Sequence, residues 1–139
     1  MNVTKMRYLV EDYYINLTSL TELQNQQIDY EVRLIATYGF NTGGGNGFTN
    51  SKTENLAIKI RSQKDKIEEL ENKILLVDEG MKILDKKECE VIERVKIHRN
   101  KLNRIAKDIH KSSKYVFDTR NRALKKMCEY VKEKQCIKN

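Results

Sequence analysis

The chain has 139 residues, the length of one domain or of one domain with an appendage. Hydrophobic residues make up 39% of the sequence and charged residues 34%, whereas globular domains usually have about 45–50% and about 25%. This composition disfavours a single compact core and favours elongated helices with narrow apolar seams. The sequence contains no proline, which permits long unbroken helices, so we predict an all-α fold.

The sequence carries no pattern that directs a protein into or across a membrane. No stretch approaches the ~20 apolar residues of a membrane span, and charged residues at positions 7, 11 and 12 break any signal-peptide pattern at the N-terminus. Cys89, Cys128 and Cys136 have no framework spacing and are typical of reduced thiols. We therefore expect a cytoplasmic protein without membrane contact.

The first predicted element is a helix from about Thr4 to Tyr38. Apolar residues recur along it with helical periodicity, at Met6, Val10, Tyr13, Leu17, Leu20 and Leu34. The following segment contains GGGNG at residues 43–47. Because glycine adopts positive φ freely and disfavours helix, we predict a Gly-rich loop over residues 39–52.

The second predicted helix carries a heptad seam. Nine positions are spaced alternately by four and three residues, and eight are apolar: Leu56, Ile60, Gln63, Ile67, Leu70, Ile74, Val77, Met81 and Leu84. Such a seam is not stable alone and needs a partner. Since the first helix has a matching length, we predict that residues 1–84 form a long antiparallel, coiled-coil-like hairpin. A second chain is the alternative partner, and a homodimer or higher oligomer of hairpins is also consistent with the pattern.

A small helix-turn-helix domain is predicted over residues 85–131, followed by a basic C-terminal tail at 132–139. Asp85 and Glu88 have the spacing of an acidic capping box at the start of a helix. Ser112 is the predicted N-cap of the last helix.

The spacing within this domain matches a helix-turn-helix. Ile105 and Ala106 lie on the short helix before the turn, and Ala106 must be small because two helices cross there. Val116 on the last helix is expected to pack beneath the turn.

Positive charge is concentrated in the same region. Residues 1–50 and 51–84 carry net charges of −2 and 0, whereas residues 85–139 carry 17 basic and 8 acidic residues, a net charge of +9. A block this basic raises affinity for phosphate and points to nucleic acid. A solvated basic surface is the alternative.

Helical geometry predicts which side chains would contact DNA. The outward face near the start of the last helix carries the candidates for base contacts, namely Ser113, Lys114, Phe117, Asp118 and Asn121. Lys114 is expected to donate to guanine and Asn121 to pair with adenine. The candidates for phosphate contacts, which position a domain without reading sequence, are Arg99, Lys101, Arg104, Lys107, Lys111, Arg122 and Lys125.

Other chemistries are not favoured. No strand precedes the Gly-rich segment, and it lacks the Gly-Lys-Ser/Thr ending of a nucleotide-binding loop. The two histidines and three cysteines have no zinc spacing, and we find no catalytic set. We therefore expect no metal, no cofactor and no enzymatic activity.

Four segments carry a family resemblance. DKKECEVI from Asp85, LNRIA from Leu102, SSKYV from Ser112 and RALKKM from Arg122 resemble the fourth conserved region of bacterial sigma factors, the helix-turn-helix that reads the −35 promoter element. With the Gly-rich loop and the long charged helix, the chain resembles small phage transcription regulators of the RinA/ArpU type. Two residues depart from the family's pattern. His110 stands at the turn position usually filled by glycine, which often needs positive φ, and histidine tolerates positive φ better than a branched residue. Arg120 occupies a position that is commonly apolar.

The resemblance implies a sequence-specific DNA-binding regulator, an activator of phage or prophage late genes. Its partners would be double-stranded DNA and host RNA polymerase in the cytoplasm of the bacterial host, and the hairpin would serve dimerisation or polymerase contact. Two alternatives remain open, a small-terminase-like DNA-packaging adaptor that uses the same motif and a self-sufficient sigma-like factor. The latter is disfavoured because residues 1–84 hold aromatic residues without the basic charge needed to melt DNA.

Overall fold

A computed structural model of the protein describes the backbone of residues 1–39 and 47–138 and the side chains of residues 1–36 and 54–135. The described residues form six α-helices, which confirms the predicted all-α class: α1 (Val3–Glu11), α2 (Tyr13–Gly39), α3 (Gly47–Met81), α4 (Lys86–His98), α5 (Leu102–Ile109) and α6 (Ser113–Lys138). None of them combines the length and apolar composition that a membrane span requires.

Packing divides the chain into two units. Unit 1 comprises Met1–Leu17 and Asn72–Asn139, and unit 2 comprises Thr18–Glu71. The packed region that contains the predicted helix-turn-helix therefore also includes residues from before position 85. Each unit has its own internal contacts and is described separately.

The first predicted helix is interrupted near its start. Asp12, with φ −93° and ψ 7°, ends α1, and α2 begins at the next residue. Leu17, predicted on the apolar stripe, is 37% exposed, whereas Leu20 is buried.

The bounds predicted for the Gly-rich loop are too wide at both ends. Gly39 is the last residue of α2, and residues 47–52 form the first turns of α3. Gly47 is the only glycine within that stretch, so propensity opposes helix at one position only. Residues 40–46 lie outside the described residues.

The predicted basic tail is helical. Residues 132–138 continue α6 without a break. The segment is rich in lysine, glutamate and glutamine, which are good helix formers, and it has no glycine or proline to stop the helix.

The core of unit 1 is built from α1, the end of α3 and the three following helices. The side chains in this cluster have at most 5% of their surface exposed, and they are Met6, Val10, Val77, Val91, Ile92, Val95, Ile105, Ala106, Val116, Ala123, Leu124, Met127 and Val131. Met6 and Val10, predicted to pair within the hairpin, belong to this core. Ile105, Ala106 and Val116, which the helix-turn-helix spacing predicted to pack together, are buried as expected.

Helices α3 and α6 approach each other closely at Gly80. A Cβ atom added to Gly80 would lie 2.9 Å from the Cβ of Met127, so the contact requires a residue without a side chain. About two turns further along α6, Lys134 pairs with Glu79. Hydrogen bonds from Lys134 and Lys82 lower the pKa of Glu79 to about 2.

In unit 2, half-buried positions follow a heptad pattern on both helices. Between residues 54 and 71 of α3, every side chain that is not exposed belongs to the predicted seam, at Leu56, Ile60, Gln63, Ile67 and Leu70. Hydrogen bonds join this seam to α2. The Nε2 of Gln63 donates to Oε1 of Gln26 at 2.8 Å, and the Nε2 of Gln27 donates to the carbonyl oxygen of Ile60 at 3.1 Å.

Candidate nucleic-acid interface

The turn between α5 and α6 is built by two residues whose roles follow from local chemistry. His110 ends α5 in the left-handed conformation, with φ 57° and ψ 43°, as the sequence predicted. The amide of Lys111 donates to the carbonyl oxygen of Ala106 at 3.0 Å, and the amide of His110 to that of Lys107 at 3.3 Å. These two hydrogen bonds form a Schellman motif, which satisfies the last carbonyls of α5.

The start of α6 is capped by a side chain. The Oγ of Ser112 accepts a hydrogen bond from the amide of Tyr115 at 3.0 Å, which confirms the predicted N-cap. Beneath the turn, Ile105 and Val116 are fully buried and Ala106 is 5% exposed. The outward faces of α5 and α6 are therefore fixed by the burial of the opposite faces.

Four of the five candidates for base contacts are exposed on α6. Ser113, Lys114, Phe117 and Asp118 lie at the surface, and Asn121 is half-buried. The hydroxyl of Ser113 donates to Oδ1 of Asn103 on α5 at 2.7 Å, which links the start of α6 to the preceding helix.

The candidates for phosphate contacts fall into two groups. Arg99 and Arg122 are exposed but form ion pairs, with Asp12 at 2.7 Å and with Glu88 at 3.3 Å respectively. The other five are exposed at the surface, namely Lys101, Arg104, Lys107, Lys111 and Lys125.

Two open concave surfaces adjoin these lysines and arginines. One lies at the start of α5 and includes Lys101, Arg104 and Lys107 in its lining. The other lies between α5 and α6 and includes Lys107 and Lys111. Lys107 and Asn103 border both surfaces, which are together called the concave region below.

Glu88 has a structural role that the sequence indicated only in part. It forms the predicted capping box, in which its amide donates to Oδ1 of Asp85 at 2.8 Å and the amide of Asp85 donates back to its Oε1 at 3.2 Å. The backbone hydrogen bond from Glu88 lowers the pKa of Asp85. The Glu88 carboxylate is fully buried and also pairs with Lys126 at 2.8 Å and with Arg122, joining α4 to α6. Nothing in the local sequence pattern indicated this second role.

Arg120 occupies a position that is commonly apolar in the family that the sequence resembles. The residue is only 4% exposed, and its guanidinium lies 5.3 Å from the centre of the Phe117 ring. Its Nη1 donates to Oδ1 of Asn100 at 3.2 Å, while Nε and Nη2 donate to Oδ1 of Asn121 at 3.3 and 3.2 Å. Burial, and then the charge of Arg7, lower the pKa of Arg120.

The turn between α4 and α5 contains a strained residue that the sequence did not reveal. Arg99 has φ 59° and ψ −120°, a region that favours glycine. The amide of Lys101 donates to the carbonyl oxygen of His98 at 3.2 Å and closes the turn. The ion pair of Arg99 with Asp12 ties this turn to the end of α1.

Comparisons of the chain with protein-family models, with curated proteins and with solved structures found no match. Within the side chains that the structure describes, no three histidine, cysteine, aspartate or glutamate residues are grouped so that they could hold a metal ion. Cys89 and Cys128 are free thiols, and burial raises the pKa of Cys89.

Proposed function

We propose that the protein is a sequence-specific DNA-binding regulator of transcription, with α5, the turn and α6 forming its helix-turn-helix. The observation that carries the proposal is the division of α5 and α6 into two faces. Their apolar side chains are buried in the core of unit 1, while Arg104, Lys107 and Lys114 are exposed on the same two helices and Lys101 is exposed at the N-cap of α5. In a helix-turn-helix, the second helix enters the major groove with its first residues against the base edges.

The local geometry supports this proposal. A helix-turn-helix needs a tight turn between its two helices, and here the left-handed His110 and the Ser112 cap make a turn of three residues between α5 and α6. The concave region that Lys107 and Lys111 border offers cations for DNA phosphates.

Unit 2 supports a second part of the proposal, an antiparallel hairpin of α2 and α3. Its hydrogen bonds run in opposite order along the two helices, since Gln24 contacts Glu71 and Gln27 contacts Ile60. In this proposal the hairpin serves homodimerisation or contact with host RNA polymerase. Together with the sequence resemblance to RinA/ArpU-type regulators, this favours control of phage or prophage late genes.

The proposal is tested by separating base reading from phosphate binding. Duplexes selected from a random pool by the wild-type protein supply the specific site, and a scrambled duplex supplies the reference. We expect Lys114→Ala to weaken binding to the selected site by about 1–3 kcal/mol more than binding to the scrambled duplex, because a base contact discriminates between sequences. Lys107→Ala should weaken binding to both duplexes alike.

Lys87→Ala is the matched control. Lys87 is exposed near the start of α4, so its removal changes the net charge equally without touching α5 or α6. Equal losses on both duplexes for Lys114→Ala would contradict base reading by α6 and would favour a non-specific clamp, as in the packaging alternative. A wild-type protein that binds neither duplex would overturn both functions.

A further inference from the structure

We infer that Asn121 reads DNA as a hydrogen-bond donor only, and that the buried Arg120 imposes this restriction. The inference rests on the proposed role of α6 as the reading helix and deepens it. It assigns Asn121 to a base edge with two acceptors, the N7 and O6 of guanine, in place of the adenine expected from sequence.

The contact between the two side chains fixes the orientation of the Asn121 amide. Nε and Nη2 of Arg120 lie 3.3 and 3.2 Å from Oδ1 of Asn121. A guanidinium has only N–H donors and no acceptor. The reverse orientation would direct the Asn121 amide hydrogens at these donors, so the oxygen must face Arg120.

The position of Arg120 is fixed in turn by its surroundings. The residue is 4% exposed, its Nη1 donates to Asn100, and its guanidinium lies over the Phe117 ring. A desolvated cation that left these partners would lose hydrogen bonds that water cannot replace at a buried site. The side-chain oxygen of Asn121 is therefore already hydrogen-bonded to Arg120 when the residue contacts DNA.

This arrangement changes which bases Asn121 can recognise. Pairing with adenine requires the amide oxygen to accept from N6 while the amide nitrogen donates to N7. A carbonyl oxygen has two lone pairs, and the Asn121 oxygen already accepts two hydrogen bonds from Arg120. Only the two Nδ2 hydrogens remain for DNA. Guanine presents two acceptors in the major groove, whereas adenine would place its own N6 donor against the Asn121 donor.

The test is a parallel selection of DNA by three variants of the full-length protein. Wild type, Asn121→Asp and Asn103→Asp are each used to select duplexes from the same random pool, and relative affinities at each base pair follow from sequencing. Aspartate at 121 keeps an oxygen for Arg120 but exchanges the donor for an acceptor. We therefore expect one position of the motif to change from guanine to cytosine, whose N4 donates, by about tenfold in relative affinity.

Asn103→Asp is the matched control for added negative charge. Asn103 is exposed on α5, and aspartate there can still accept from Ser113. This variant should weaken binding to all sequences while leaving the preference for guanine unchanged. Arg120→Met tests the cause, because an unengaged Asn121 oxygen should make adenine as good as guanine to within about threefold. If Arg120→Met does not fold, the comparison of Asn121→Asp with Asn103→Asp decides whether Asn121 acts as a donor.

The outcomes separate this inference from the proposed function. A wild-type motif that Asn121→Asp leaves unchanged overturns the donor role of Asn121 but leaves sequence-specific binding intact. A motif in which the Asn121-dependent position is adenine also overturns it, as does an Arg120→Met variant that folds and keeps the full preference for guanine. Selection of no motif by the wild-type protein overturns both the inference and the proposed function.

Discussion

His110 shows how one residue sets the geometry of the candidate interface. Its left-handed backbone, with φ 57° and ψ 43°, lets the chain reverse between α5 and α6 within three residues. In an L-residue with a side chain, this conformation costs roughly 1–2 kcal/mol because Cβ crowds the following carbonyl oxygen. Glycine lacks that Cβ and is the usual residue at this position of a Schellman motif.

Replacing His110 by glycine is therefore expected to stabilise unit 1. The gain from relieving the left-handed conformation exceeds the added entropy of the unfolded chain, and we expect an increase of about 0.5–1 kcal/mol in the free energy of unfolding. Urea denaturation followed by circular dichroism measures it. Lys111→Gly is the control, since Lys111 is not among the residues with positive φ, and this variant should be neutral or destabilising. A loss of stability in His110→Gly would contradict the conformation of the turn.

Single residues differ in how far the sequence could predict them. The caps at Asp85 and Ser112 and the positive φ of His110 depend on residues nearby in sequence, and they were predicted correctly. The contacts of Arg120 with Asn100 and of Glu88 with Lys126 were not predicted, because the partners lie 20 and 38 residues apart in sequence. Such contacts depend on how helices pack, which a local pattern does not specify.

At the scale of elements, the crossing of α3 and α6 depends on Gly80. In an exposed helix, alanine is more stable than glycine by roughly 1 kcal/mol. Here the added methyl group would lie 2.9 Å from Met127 Cβ and 3.1 Å from its Cγ and Cε. The two effects oppose each other, and the steric conflict is the larger because Met127 is fully buried and its Cβ cannot move without α6.

We expect Gly80→Ala to destabilise unit 1 by about 1–3 kcal/mol, the usual cost of overpacking a core. The thermal midpoint of unfolding, followed by circular dichroism, measures the effect. Ser62→Ala is the control, because Ser62 is exposed on the same helix and alanine should slightly stabilise it there. If Gly80→Ala is as stable as the control, α3 and α6 do not approach each other as described.

The elements were predicted well where an apolar pattern was continuous and poorly at their ends. The heptad spacing from Leu56 to Leu70 identified every half-buried position of α3 between residues 54 and 71. The ends at Asp12 and Gly47 were missed, because apolar periodicity does not specify where a helix begins or ends. Residues 132–138 continue α6, so the helix extends into the segment predicted as a basic tail.

At the scale of the whole molecule, the number of basic residues overstates the number of cations available to DNA. Residues 85–139 hold 17 basic residues, yet Arg99 and Arg122, two of the seven candidate phosphate ligands, pair with Asp12 and Glu88. A cation held by a carboxylate must leave that partner before it can neutralise a phosphate. From sequence alone, cations with and without a carboxylate partner could not be distinguished, because the ion pairs depend on how the helices pack.

The salt dependence of DNA binding distinguishes seven phosphate contacts from the five that remain when the two paired arginines are left out. Each phosphate contact adds about 0.9 to the slope of log K against log salt concentration for duplex DNA, so five contacts per protomer predict a slope of about −4.5 and seven predict about −6. We expect the smaller value, measured by fluorescence anisotropy on a scrambled duplex between about 50 and 200 mM salt.

Lys107→Ala should reduce the slope by about 0.9, because Lys107 is exposed beside the concave region. Arg99→Ala should leave the slope unchanged, because its ion pair with Asp12 already occupies the guanidinium. A slope near −6 that falls in both variants would show that Arg99 exchanges Asp12 for phosphate, and a flat salt dependence would contradict DNA binding altogether.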